Sequence, residues 1–253
     1  MKPLGRSPLN RSLNRGIAVL RAFRPGTDLL GNGELAERTG LPRASISRLT
    51  QTLIAAGYLE YDLPRQAYRL APAVLTLSHA MRLGSPVVRT ATPLMMSLAR
   101  RLRINVGLAT RDGDEMVYLE STRYNEPGMG RTVVAGQRIP IELTALGRAW
   151  LAAAPVAERA ALMAQWRIKR RKTWPGLKTE LAESILDVER KGYCVAAWQP
   201  QVVALAAPLT FDATRIYAVN VSVTSNVPRH EIVERLEKPV LRLAKQITEA
   251  FAG

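Results

Sequence analysis

The run from Asn32 to Gly57 constrains this 253-residue chain more tightly than any other. Glu34, Leu35, Ala36, Glu37 and Arg38 are mostly good helix formers, and Asn32 is suited to cap them with its short side-chain oxygen. Thr39-Gly40-Leu41-Pro42 then forces a corner. Gly40 supplies the positive φ of a helix C-terminus, and Pro42 suits the first turn of the next helix, where a missing N–H costs nothing. That second helix is predicted from about Arg43 to Ala56, with Ile46, Leu49 and Leu53 on one buried stripe. Arg43, Ser45, Ser47, Arg48, Gln51 and Thr52 fall outside the stripe, and no acid occurs between Arg43 and Gly57. Tyr58–Tyr61 and Gln66–Leu70 read as two short strands joined by Asp62-Leu-Pro-Arg65, a basic wing. Two helices, a Gly-containing corner and a hairpin are the parts of a winged helix-turn-helix. A small helical hairpin with a solvated polar face is the plain alternative.

Charge points the same way. The formal net charge is +15 and the pI about 10.7, which fits a polyanionic partner because phosphate neutralisation releases counterions. The chain is long enough for two domains, and its 47% apolar content can supply their cores. Cys194 is the only cysteine, so no intrachain disulfide forms, as befits a reducing cytoplasm. Residues 1–10 read as a flexible basic tail without the apolar stretch of a signal peptide, and no run has the length of a membrane span.

A helix is expected from Ser12, with Leu13, Ile17, Leu20 and Phe23 as its apolar stripe and Pro25-Gly26 as its end. Beyond the wing, residues 72–85 predict a linker helix whose Val74, Leu75, Leu77, Met81 and Leu83 call for a partner; a second copy of the chain is the simplest one. His79 on it is expected to be structural. Domain boundaries are therefore placed at 1–71, 72–85 and 86–253.

The last segment alternates helices and strands. A helix over Val87–Leu102 leads to strands Ile104–Ala109 and Glu115–Ser121 around an Asp-Gly turn. Arg123–Gly136 reads as a loop; its Gly128-Met-Gly130 lacks the strand–loop–helix context of a nucleotide site. Thr144 is placed as the cap of a helix over Ala145–Ala153. Helices over about 157–166 and 178–190 follow, with the basic run Arg167–Lys172 as a solvated loop between them. Strands at 193–197, 202–211 and 216–224 precede a terminal helix carrying Ile232, Leu236, Val240, Leu243 and Ile247. The pattern predicts an α+β fold with an antiparallel sheet.

Across nearly its whole length the chain resembles the IclR family of bacterial transcription regulators. The resemblance rests on Arg15-Gly-Ile-Ala-Val-Leu-Arg-Ala-Phe23, Glu34–Ser45, Gly57–Glu60, Asp112–Glu120, Thr144-Ala-Leu-Gly-Arg-Ala149, Lys191-Gly-Tyr193 and Ala206-Ala-Pro208. It implies an N-terminal winged helix and a C-terminal effector-binding domain resembling the GAF fold, acting as a homodimer or homotetramer on palindromic double-stranded DNA. A small organic acid would modulate DNA affinity. Arg43, Ser45, Ser47 and Arg48 would then meet the major groove and Arg65 the backbone or minor groove. The family's ligand pocket maps onto Ala145 and Leu146 at a helix start and onto Asn220 and Ser222 on the penultimate strand. This chain departs at Ala204, where the family has a cysteine, at Ala196, where it has an acid, and at Glu142, where a histidine or aromatic is frequent. With Trp198 nearby, these changes favour a bulkier, aromatic acid over a small oxoacid.

Two other classes are weaker. An enzyme would need a nucleophile–base pair, metal-ligand spacing or a phosphate loop, and Cys194, His79 and His230 form none of these in sequence. No cofactor or metal is expected. A protein-recruiting scaffold would use the linker helix, which self-association explains without another component.

Overall fold

The computed structural model describes residues 9–124, 134–199, 201–212 and 214–252. The basic tail through Pro8, the Gly128–Gly130 loop, Pro200 and Ala213 lie outside the described residues. The chain divides into two compact units, Met1–Met81 and Arg82–Gly253.

In the first unit, α1 (Arg11–Arg21), α2 (Asn32–Thr39) and α3 (Arg43–Ala55) precede a hairpin of β1 (Leu59–Asp62) and β2 (Ala67–Leu70). Its core gathers Val19, Phe23, Leu30, Leu35, Ile46 and Leu59. Gly40 takes the left-handed conformation the corner needs, at φ 68°. Pro42 precedes α3, and its carbonyl accepts from the N–H groups of Ser45 (2.9 Å) and Ile46 (3.1 Å). Ile46 is buried, Leu49 and Leu53 are half-buried, and Thr50 completes the inner face by donating to the Ile46 carbonyl at 3.0 Å.

Two expectations need correction here. The cap of α2 is Gly31, not Asn32; the Glu34 carboxylate accepts from the Gly31 N–H at 2.9 Å, and Asn32 sits inside the helix. A carboxylate at the third position reaches back more readily than a side chain already in the first turn. In α1, Val19, Ala22 and Phe23 turn inward, whereas Leu13 is 61% and Ile17 43% exposed. The predicted stripe is real as a surface but only its end joins this core. The linker helix α4 (Ala73–Gly84) has no buried residue and shows Leu75, Leu77, Met81 and Leu83 to solvent.

The second unit is built on a six-stranded antiparallel sheet ordered β5 (Arg138–Pro140), β4 (Glu115–Thr122), β3 (Asn105–Asp112), β8 (Ile216–Thr224), β7 (Val202–Thr210), β6 (Cys194–Ala196). Because strand side chains alternate, the sheet divides two cores. On one face Val219, Val221 and Val223 of β8 pack with residues of α5 (Pro86–Leu102) and α9 (Arg229–Ala252). On the other face α6 (Ala145–Ala153), α7 (Val156–Lys169) and α8 (Trp174–Lys191) bury Leu146, Trp150, Trp166 and Leu181. The α+β class with an antiparallel sheet is as expected. Among the described residues no helix is long and apolar enough to cross a membrane.

The basic run Arg167–Lys172 is not the solvated loop expected of it. Its first three residues close α7, and Arg170 turns back onto Glu142, donating at 2.8 and 3.0 Å to a carboxylate only 2% exposed. Burial of Glu142 demands such a partner. Helix α8 also starts earlier than predicted, at Trp174.

The start of α6 is fixed by a close crossing. Thr144 caps it as predicted, donating to the Pro140 carbonyl (2.8 Å) and accepting from the Gly147 N–H (3.3 Å). A Cβ on Gly147 would lie 2.2 Å from the Ile141 carbonyl oxygen, so only glycine lets the two backbones meet. Gly147→Ala is expected to destabilise this unit by about 1–3 kcal/mol, the cost of overpacking a tight contact. Calorimetric unfolding checks it; an unchanged melting temperature would refute the crossing as drawn.

Candidate functional site

Two surfaces gather the residues singled out by sequence. The first is the outer side of α3. Arg43 and Arg48 are exposed, and neither pairs with a carboxylate among the described residues. The Arg43 guanidinium lies beside Gly33 of α2. Ser45 is half-buried. Ser47 is tied into the motif itself, donating to the Arg43 carbonyl and accepting from the Asn32 amide, both at 3.2 Å. It therefore braces α3 against α2 as well as facing outward.

The wing is less cationic than its sequence suggests. At its tip Arg65 pairs with Asp62 at 3.1 Å, and the Arg65 N–H bonds the same carboxylate at 3.0 Å. That backbone bond, more than the guanidinium, holds the Asp62 carboxyl below its usual range. Arg69 pairs with Glu60 at 2.8 Å. The Arg69–Glu60 pair is exposed and Arg65 reaches Asp62 from solvent, so the pairs contribute little stability, yet they balance the wing's charge. Arg43 and Arg48 of α3 stay unbalanced among the described residues, as does Arg38 of α2, which donates to the Ala22 carbonyl and the Thr27 hydroxyl.

The second surface is a cavity on the α6 side of the sheet. All six predicted positions line it: Ala145 and Leu146 at the helix start, Ala196 on β6, Ala204 on β7, and Asn220 and Ser222 on β8. Register explains the grouping, since Asn105, Ser222, Ala204 and Ala196 form one row across four strands, while Gly107, Asn220, Ala206 and Cys194 form the next. Asn220 is only 6% exposed, and its side chain makes no hydrogen bond among the described residues. A Cβ on Gly107 would fall 2.5 Å from the Tyr118 ring and 2.6 Å from the Asn220 amide oxygen, so a bare strand position lets both close over the cavity wall.

Sequence reasoning missed several lining residues. Arg123, just past β4, is the one charged residue among the described lining positions; Asn105 and Tyr118 add polar atoms. Trp198 is a wall residue, 41% exposed. No periodic signal marks Arg123, because it follows a strand end, and a bulge between Leu108 and Ala109 shifts the register that the Asp-Gly hairpin would set. Glu142, expected to alter the pocket, is instead turned away onto Arg170. Behind the cavity wall, Cys194 is fully buried and its thiol donates to the Ala145 carbonyl at 3.5 Å. Burial pushes this thiol up to about 12. Among the described residues no group of three His, Cys, Asp or Glu side chains could hold a metal ion.

A basic helix surface on one unit and a polar cavity with no acid among its described lining residues on the other match a known pairing. The IclR helix-turn-helix domain matches residues 12–63, and the C-terminal domain of the bacterial transcriptional regulator IclR matches 81–249. The chain belongs to the IclR family. It is 35% identical to the HTH-type transcriptional regulator TsaQ1/TsaQ2 of Comamonas testosteroni, over 74% of this chain and 68% of that one. Its fold matches the crystal structure of an IclR family regulator from Brucella abortus with a TM-score of 0.87 and 32% identity, covering 96% and 93% of the two chains. An IclR homologue from Microbacterium hydrocarbonoxydans, crystallised with 4-hydroxybenzoate, shares the fold at a TM-score of 0.70 and 21% identity, over 95% and 99% of the chains. This IclR family member is thus a DNA-binding transcription regulator with an effector-domain cavity.

The sealed thiol gives a simple check on this geometry. Cys194 should resist iodoacetamide in the folded protein at pH 8 and react once the chain is unfolded in urea, because only a thiolate attacks. Mass spectrometry reads the adduct; rapid labelling of the native protein would refute the burial.

Proposed function

We propose that this IclR family member is a cytoplasmic homo-oligomer that binds palindromic operators through α3 and releases or grips them according to an aromatic acid held in the α6 cavity. Residues 1–71 read DNA, 72–85 link and pair subunits, and 86–253 sense the effector. The observation that carries the DNA contact is the acid-free outer side of α3. Arg43 and Arg48 are cations without a carboxylate among the described residues, and an arginine fork suits guanine or phosphate. Ser45 and Ser47 flank them, and Arg65 would reach the backbone by exchanging Asp62 for phosphate. Self-association is supported by α4, which has no buried residue and exposes Leu75, Leu77, Met81 and Leu83 among the described residues.

The effector reading rests on Asn220, a nine-tenths buried amide with no hydrogen bond among the described residues, aimed into a cavity with no acid in its described wall. Ser222 adds a hydroxyl, and the first turn of α6 at Ala145 and Leu146 favours a carboxylate. Ala196 and Ala204 remove polarity, while Tyr118, Trp198 and Ile139 supply aromatic and apolar wall. The fold neighbour crystallised with 4-hydroxybenzoate is consistent with an aromatic ligand. An enzymatic role has no comparable support, since the one thiol is sealed and both histidines are exposed and far apart in sequence.

Two measurements test this. Arg48→Ala should weaken operator binding by about 1–3 kcal/mol, the worth of one good base or charged contact. If Arg43→Ala and Arg48→Ala together leave both affinity and its salt dependence unchanged, α3 is not the reading helix. Titrating the full-length protein by calorimetry with glyoxylate, pyruvate and a series of aromatic acids should yield binding by the aromatic acids, lost in Asn220→Leu. Binding of the small oxoacids alone would overturn the aromatic assignment.

A further inference from the structure

A bulge in the β3–β4 ladder decides where one acid goes. Tyr118 pairs with Ala109 and Glu120 with Leu108, so Leu119 is the extra residue. Strict alternation would return Glu120 to the face of Tyr118, which lines the cavity. The bulge breaks that alternation. Glu120 instead joins Leu119 on the α5 side, where its carboxylate lies 3.4 Å from the Thr92 hydroxyl of α5 and accepts from Nη2 of Arg82 at 2.6 Å. The Ser121 N–H holds the other carboxylate oxygen at 2.9 Å. Nη1 of Arg82 reaches the Leu119 carbonyl at 3.4 Å, so one guanidinium grips the extra residue and the one after it. The Glu120 side chain is 13% exposed and that of Arg82 32%, so the pair is partly shielded from solvent. Arg82 lies in the last turn of α4 and is the first residue of the second compact unit. The linker helix therefore enters the sensing unit at this grip.

We infer that Arg82 is the positioning residue that carries effector binding from the cavity to α4. The inference rests on the cavity reading above and adds the route out of it. Tyr118 faces the ligand, and the two residues after it are gripped by the linker helix. A ligand that shifts Tyr118 moves the backbone at the bulge, because Leu119 has no register partner on β3 to hold it. The Leu119 carbonyl and the Glu120 carboxylate move with that backbone, and Arg82 follows both. Coupling between two sites needs an element that both of them bias, and here it is the bulge.

Arg82→Gln, Arg82→Lys and the isosteric Glu120→Gln test this in the full-length protein. Calorimetry reads the affinity for 4-hydroxybenzoate, and fluorescence anisotropy reads operator affinity with and without that acid. In the parent protein the acid should change operator affinity roughly tenfold, a common size for such coupling. Arg82→Gln and Glu120→Gln should each bind the acid and the operator separately much as the parent does, while the change in operator affinity is lost. Arg82→Lys should keep part of it. Lower affinity for both ligands with the tenfold ratio intact would mark a merely structural role and overturn the inference. A full response in Arg82→Gln would overturn it and leave the cavity reading standing. Loss of acid binding in Arg82→Gln would overturn it too, because Arg82 would then hold the cavity itself. If the parent protein does not bind 4-hydroxybenzoate, the aromatic reading falls alone, and pyruvate becomes the probe for the same comparison. Operator affinity that ignores both acids in the parent protein would overturn the inference as well.

Discussion

Alternation along β8 is the constraint on which the sensing unit depends. Successive side chains leave opposite faces of the strand, so Val219, Val221 and Val223 are committed to the core under α5 and α9 while Asn220 and Ser222 are committed to the cavity. A slip of one residue would bury an amide and a hydroxyl in an apolar core and empty three valines into the cavity, a cost of several kcal/mol in unmet polar groups alone. Fold and site are therefore specified by the same pairing. Gly107 across the ladder and Gly147 at the start of α6 complete the arrangement, one by making room over the sheet and the other by letting two backbones cross.

The helix-turn-helix works by a more local rule. Gly40 in the left-handed conformation ends α2, and Pro42 starts α3 at once, so the angle between helices is set by four residues. The Asn32–Ser47 bond and the shared core of Leu35 and Ile46 lock that angle from the inside. What remains outside is a row of side chains whose presentation follows from the corner.

This difference explains what sequence alone made legible. The corner, the stripe through Ile46, the Thr144 cap and the polar positions of β8 are written in neighbouring residues, and all six cavity positions inferred through the family resemblance line one cavity. Long-range partners were not legible. Glu142 reads as a pocket residue until Arg170, distant in sequence, claims it, and the run Arg167–Lys172 reads as a loop until that same pair folds it back. The wing reads as basic because Asp62 and Glu60 are seen before their partners. In α1, periodicity identifies an apolar stripe but not whether the stripe meets its own core, and Leu13 and Ile17 face out.

The buried charges around α6 bear on how the cavity is held. Arg148, within the helix, donates to the Glu142 carbonyl at 3.0 Å and to Glu180 of α8 at 2.5 Å, while the Glu142 carboxylate takes Arg170 from the end of α7. Half-satisfied, such a network would cost more than an apolar contact; with each group partnered it ties the segment before α6 to α7 and α8 at fixed geometry. The first turn of α6 is then held by these ion pairs, by the Thr144 cap and by the Gly147 crossing. An end held by such contacts binds an acid without the entropic penalty of ordering it.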